Sequence, residues 1–202
     1  MKWFSNLFKN KSSNPSETGK NWIEGHRFFE LGKEFYFIKR LPNEGLQYFD
    51  KAIANGFEEN VFNLRAGCLQ ELDYHYEAIE DFNKAISLSP NDCNIYFCRS
   101  ISKNATLDYE GQIADLIKAI ELSQVNNEMN RIYNESAKKN NLSKNGILGL
   151  FQTSLDGAQM DFDMELEDKE RIINASSLES KAFLQKRSDE DKERKLKLIK
   201  RR

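Results

Sequence analysis

The sequence predicts an all-α fold, a short α-solenoid of three stacked helix pairs closed by C-terminal capping helices. Three observations carry that prediction. The 202 residues include only 3 prolines and 10 glycines, and no segment alternates apolar and polar residues as a half-buried strand would. Large and small side chains recur at a fixed spacing: Ala119 follows Ala85 by 34 residues, and Ala52 precedes it by 33. Beyond residue 126 that recurrence fades into an apolar stripe with steps of three and four residues, which is one face of a long helix.

The clearest unit runs over residues 59–92. Phe62, Arg65, Ala66 and Leu69 mark a first helix, Ala78, Phe82 and Ala85 a second, and Pro90 ends it. Two antiparallel helices approach closely only where side chains are small, the role open to Ala66, Ala78 and Ala85. Phe62, Leu69 and Phe82 fill the space beside them, and Leu72, Ile79, Ile86 and Leu88 extend the same apolar faces. Pro90 cannot continue a helix, so the chain turns there. One helix pair cannot bury its own apolar face, which calls for stacked neighbours.

These residues and their spacing resemble a tetratricopeptide repeat. The resemblance implies a right-handed solenoid whose first helices line a concave groove for extended or helical peptides. It implies a non-catalytic interaction scaffold, with no cofactor and no metal. The third unit offers Tyr96, Arg99, Ser100, Leu116 and Ala119 but departs from the pattern at Lys103, Gln112 and Gln124. In the first, Phe29, Tyr36, Gly45, Phe49 and Ala52 fit, while Leu31 and Gly32 fall one position early. The chain thus divides into an amphipathic segment and linker (1–20), three repeats (21–126; units of about 26–58, 59–92 and 93–126), capping helices (127–175) and a charged helical or disordered tail (176–202).

In order along the chain, residues 1–11 place Trp3, Phe4, Leu7 and Phe8 on one side of a short helix flanked by Lys2, Lys9 and Lys11. Ser12 to Gly19 reads as a polar linker. A first helix is expected from near Thr18–Trp22 to about Lys39, with Pro42 in the first turn of its partner. Asn91 or Asp92 suits the N-cap of the third unit, and Asp108 that of the helix after it. Glu128 to Lys139 forms another helix with Met129, Ile132, Tyr133 and Ala137 inward, stopped by Asn140 and Asn141. Ser143 is placed as the cap of a long helix whose stripe is Ile147, Phe151, Leu155, Ala158, Phe162 and Leu166, covering the open end of the solenoid. The stretch from Lys192 to Arg202 carries seven basic residues and one acid.

Composition bounds the function. The net charge of −2 gives no general push toward nucleic acid or anionic membranes. No apolar run approaches the roughly 20 residues that span a bilayer, and the apolar patch at the N-terminus is shorter than a secretory core. Cys68, Cys93 and Cys98 lack C-x-x-C spacing and suit a reducing compartment, so the expected location is cytoplasmic, with a peripheral membrane position as the variant. His26 and His75 have no second ligand at metal spacing. The acidic run Asp161, Asp163, Glu165, Glu167 and Asp168 lacks a calcium loop's central glycine, and Thr18-Gly19-Lys20 lacks the remainder of a phosphate loop. No nucleophile–base arrangement stands out.

Carried over by resemblance, the groove offsets fall on Arg27, Glu30, Glu34 and Phe37, then on Asn60, Asn63, Leu64, Gly67, Gln70 and Glu71, then on Asn94, Phe97, Cys98, Ile101 and Asn104. A co-chaperone that clamps a C-terminal carboxylate needs cationic and amide groups there. Glu30, Glu34, Leu64, Asn94 and Cys98 stand instead, and acids would repel such a ligand. The expected partner is a protein segment with basic residues at one end. Arg65 and Arg99 recur 34 residues apart, as do Asp81 and Asp115, and the first unit lacks both members, having Gly32 and Tyr48. An Arg–Asp pair between the two helices of a repeat would explain joint presence and joint absence. The rival functions are membrane docking through residues 1–11 and nucleic-acid binding through the basic tail.

Overall fold

The structure, a computed structural model, describes residues 19–58, 60–125, 128–141, 143–174 and 178–199. The amphipathic segment 1–11 lies outside the described residues, as does the end of the basic tail. The described residues form helices joined by short turns: α1 Gly19–Lys33, α2 Pro42–Ala54, α3 Val61–Glu71, α4 His75–Leu88, α5 Cys93–Ala105, α6 Tyr109–Ser123, α7 Glu128–Lys139, α8 Gly146–Ile173 and α9 Leu178–Ile199. Helices α1 with α2, α3 with α4, and α5 with α6 pack as pairs, and each pair stacks on the next. The architecture is an all-α solenoid.

Sequence accounts for the ends of these helices. Asp92 caps α5 by accepting from the Asn94 backbone N–H, and Asp108 caps α6 by accepting from that of Gly111. Pro42 sits in the first turn of α2, where its missing N–H costs nothing. Inside each pair the turn contains one left-handed residue: Arg40 (φ 59°), Asp73 (φ 63°) and Leu107 (φ 64°). The backbone N–H one residue later closes the helix end, Tyr74 onto Leu69 O (2.8 Å) and Asp108 onto Lys103 O (2.9 Å).

The first pair closes across one extra residue, Leu41 N–H onto Phe35 O at 3.0 Å. There α1 does not continue as a regular α-helix to Lys39. It passes into a π-turn at Glu34–Ile38, with Lys39 N–H bonding Glu34 O. A π-turn absorbs a one-residue insertion without breaking the helix. This resolves the early placement of Leu31 and Gly32, because the extra residue lies between Gly32 and Tyr36. Gly32 is needed on its own account: a Cβ there would lie 2.5 Å from the ring of the fully buried Phe49.

Three apolar clusters form the core. Phe29, Phe49, Ala52, Phe57, Val61, Leu64 and Cys68 join the first and second pairs. Phe62, Ala66, Ala78, Phe82, Ala85 and Ile95 join the second and third. Cys93, Ala119, Tyr133, Ala137, Ile147 and Phe151 seal the end. Burying one such aromatic or aliphatic side chain contributes about 1.5–3 kcal/mol, so the aromatic-rich seams hold the stack together.

Helix α8 packs against α6 much as α3 packs against α2 and α5 against α4, whereas α7 makes little backbone contact with α6. It therefore takes the place that the first helix of a further repeat would occupy. Polar links hold α7: Asn130 Nδ2 donates to the carbonyls of Leu122 and Val125 (2.7 Å each), and the Tyr133 hydroxyl donates to both Asp92 carboxylate oxygens (3.2 Å). Two expectations need correction. Ser143 does not cap α8; its Oγ accepts from Asn145 N–H, and the free Ile147 N–H is satisfied by Asn134 Oδ1 at 3.1 Å. The helix starts later because Gly146, at φ 69°, turns the chain first. Leu166 is 42% exposed, since α8 has by then run past the solenoid.

Candidate functional site: the inner face of the first helices

Helices α3 and α5 touch directly as well as packing on their own partners, and Gln70 joins them. The first helices α1, α3 and α5 share one side of the stack, the inner face. Close packing there depends on small residues. The Tyr36 side chain lies between Gly45 and Gly67, where an added Cβ would come within 3.1 Å of its Cβ and 2.9 Å of its hydroxyl respectively. Burial, reinforced by the charge of Glu71, pushes the Tyr36 phenol well above its usual range, so it stays a neutral packing group.

Many of the expected groove residues turn out to be engaged. Glu30 pairs with Lys33 (2.7 Å) and Glu34 with Lys39 (3.0 Å), so the acids of the first unit are partly compensated within the chain. Gln70 Nε2 donates to Cys98 O (2.9 Å) and Ser102 Oγ (2.7 Å), binding α3 to α5. Asn104 donates to Gln112 Oε1 at 3.0 Å. Asn60 adopts a left-handed conformation just before α3 and is half-buried. Leu64 does not face the groove; it is buried in the seam between the first two pairs. Cys98 packs against the second cluster. The Phe97 ring lies 4.7 Å from that of Phe151 on α8, so the chain's own capping helix takes up this aromatic.

The inner face left open consists of Asn63, Asn94 and Ile101, the last 43% exposed, with the exposed Glu71 beside them bonded to the Tyr36 hydroxyl. The side chains of Asn63 and Asn94 carry no hydrogen bond within the described residues. They are free donors and acceptors beside one apolar and one acidic group.

Behind this face lies a recurrent polar fixture. Arg65 donates Nε and Nη2 to the two Asp81 carboxylate oxygens (2.7 Å each), and Arg99 does the same to Asp115 (2.8 and 2.5 Å). Each arginine also reaches back to the second helix of the preceding pair, Arg65 to Asp50 (2.7 Å) and Arg99 to Asn83 Oδ1 (2.5 Å). Sequence reasoning missed this second contact, although Asp50 and Asn83 recur 33 residues apart. It also missed that two of the third unit's three departures serve polar bonds: Lys103 pairs with Asp115 (2.9 Å) and Gln112 accepts from Asn104.

Other titratable groups are structural. Burial pushes the Cys98 and Cys93 thiols up to about 12, so neither is a ready nucleophile. Burial also raises the Asp92 carboxyl, opposed by its bonds from Asn94 and Tyr133. His75 lies 3.4 Å from Ser102 Oγ, and burial lowers its imidazole against the opposing charge of Asp73. Among the described residues no group of three or more His, Cys, Asp or Glu side chains could hold a metal ion. None of the described helices is long and apolar enough to cross a membrane. In the acidic run of α8, Glu165 pairs with Lys169 and Lys192, and Glu167 and Asp168 pair with Arg171.

Residues 60–92 match the family model described as tetratricopeptide repeat. Among solved structures, the Arabidopsis OM64 TPR domain is similar at 21% identity, over 59% of this chain and 98% of that one, with a TM-score of 0.48. No curated protein matches.

Proposed function

We propose that this chain, whose residues 60–92 match the tetratricopeptide-repeat family model, binds an extended segment of a partner protein on its inner face, across α3 and α5. Service as a protein-interaction scaffold is the general role of such repeats. The observation that carries the finer reading is the open group of Asn63, Asn94 and Ile101 with Glu71 beside them, framed by neighbours that are already bonded. Side-chain amides bond a peptide's main chain whatever its sequence, and Ile101 offers an apolar contact of the kind that anchors interfaces. Glu71, with the partly compensated Glu30 and Glu34, favours a segment with a lysine or arginine at that end, chiefly by speeding association at low salt.

So small a surface fits micromolar rather than nanomolar affinity. The test is affinity capture of the partner from the native cell, followed by titration against the wild type and an Asn63→Ala, Ile101→Ser double variant with an unchanged helical spectrum. The variant is expected to bind at least about tenfold more weakly, a loss of about 1.4 kcal/mol. Equal affinities would place binding elsewhere. Phe97 is a poor probe, because its truncation would disturb the seam with α8.

A further inference from the structure

Among the described side chains, helix α8 presents a second, partly open face beside the one packed on the solenoid. Ile147, Phe151 and Ala158 point into the solenoid. Asp168, Arg171 and Ile172 face Leu184, Arg187 and Ser188 of α9 across a shallow cleft. Flanking the solenoid side, away from α9, runs an apolar rail of Leu148, Leu155 and Phe162, spaced by seven residues and continued by Leu166 and Ile173. Leu155 and Phe162 are half-buried, Leu148 and Leu166 exposed, and Ile173 is 68% exposed.

Beside it, also spaced by seven, stand Asp156, Asp163 and Glu170, all exposed. Asp156 accepts from Gln152 (3.1 Å) and Asp163 from Gln159 (2.8 Å), and none of the three acids pairs with a cation among the described residues. Glu165, Glu167 and Asp168 of the same helix do.

An apolar rail with a charged rail beside it, both at seven-residue period, is the half-site of a coiled-coil pairing. We propose that this face of α8 docks a basic amphipathic helix of another protein, one with apolar residues at the same period and lysine or arginine beside them. Charge selects this occupant over a second copy of the chain. Two α8 helices packed antiparallel would set acids against acids, and packed parallel they would need the flank that Phe151 and Ala158 already commit to the solenoid. The surface is separate from the inner face of the first helices, so the proposal stands or falls independently of the groove.

The probe is a fluorescein-labelled 21-residue helical peptide with leucine at the seam and lysine at the flanks. Its twin carries glutamate at the flanks. Each is titrated by anisotropy against the full chain. The lysine peptide is expected to bind and the glutamate peptide not, with the affinity falling as salt is raised. A Leu148→Lys, Leu166→Lys variant, altered only at exposed sites, should weaken the lysine peptide at least tenfold while its helical spectrum stays unchanged. Reversing the acidic rail with Asp156→Lys, Asp163→Lys and Glu170→Lys should transfer the preference to the glutamate peptide. The proposal is overturned if that preference does not transfer, or if binding is lost in Asn63→Ala, Ile101→Ser instead of the rail variants. It is equally overturned if sedimentation shows a dimer that Leu166→Lys dissociates, since the face would then belong to a second copy.

Discussion

Replacing Arg65 by methionine tests the polar fixture between repeats most sharply. Its partner Asp81 is only 5% exposed, while the Arg65 side chain keeps about 25% of its surface in water. The two ends of the pair therefore have unequal alternatives. Without Arg65, the Asp81 carboxylate stays buried with no cation at hand, and removing one partner of a buried pair costs about 3–5 kcal/mol. Without Asp81, the guanidinium keeps Asp50 at 2.7 Å and some water, so Asp81→Leu should cost about 1–3 kcal/mol, the range for an orphaned polar group. With both replaced, methionine meets leucine and the carboxylate is gone; such apolar exchanges are often near neutral.

The expected order of stability is wild type, close to the double variant, then Asp81→Leu, then Arg65→Met, with a coupling energy of at least about 2 kcal/mol. For a chain of this size each kcal/mol moves the melting temperature by about 2–4 °C, so Arg65→Met should melt roughly 6–20 °C lower. Urea unfolding followed by far-ultraviolet circular dichroism measures the cycle, provided the slopes agree among variants. A double variant that loses the sum of the two single losses would refute the reasoning. So would an Arg65→Met loss under about 0.5 kcal/mol, which is typical of surface sites.

Two further outcomes follow from the packing and the electrostatics. Phe151, only 1% exposed and in contact with Phe97, should cost about 3–5 kcal/mol when truncated to alanine; a loss below about 0.5 kcal/mol in the same unfolding assay would mean that α8 does not seal the stack. His75 is held neutral by burial, so the unfolded chain takes up a proton that the folded chain resists, and stability should fall as pH drops through about 6.5. His75→Gln should flatten the melting temperature between about pH 7.5 and 5.5, and an unchanged slope would show that the imidazole is indifferent to folding.

The helix pairs were legible in sequence wherever large and small residues kept their offsets. Phe62, Ala66, Ala78, Phe82 and Ala85 form one buried cluster because each offset returns to the same side of its helix. Legibility failed where the backbone changed pitch. The extra residue ahead of Tyr36 reads in one dimension as a misfit, and only the π-turn shows that the packing residues on both sides keep their places. On the inner face, offset identifies a direction but not an occupancy. Gln70 and Phe97 face partners elsewhere in the chain, α5 for one and α8 for the other, and nothing local to either residue announces them. The α8 rail was hidden for a different reason. Its Leu155 and Phe162 also belong to the buried stripe by spacing, and a helix can carry two apolar faces that only neighbouring elements tell apart.

The backward reach of Arg65 and Arg99 bears on how the protein comes apart. In a linear array, stability divides into a contribution from each repeat and one from each junction, and the balance between them decides whether ends fray or the whole array melts at once. Here a single guanidinium belongs to both contributions, since it closes its own helix pair and grips the one before. A unit that loosens internally also releases its neighbour. Partly melted arrays are thereby disfavoured, and the three units should behave as one cooperative body rather than as three that open in turn.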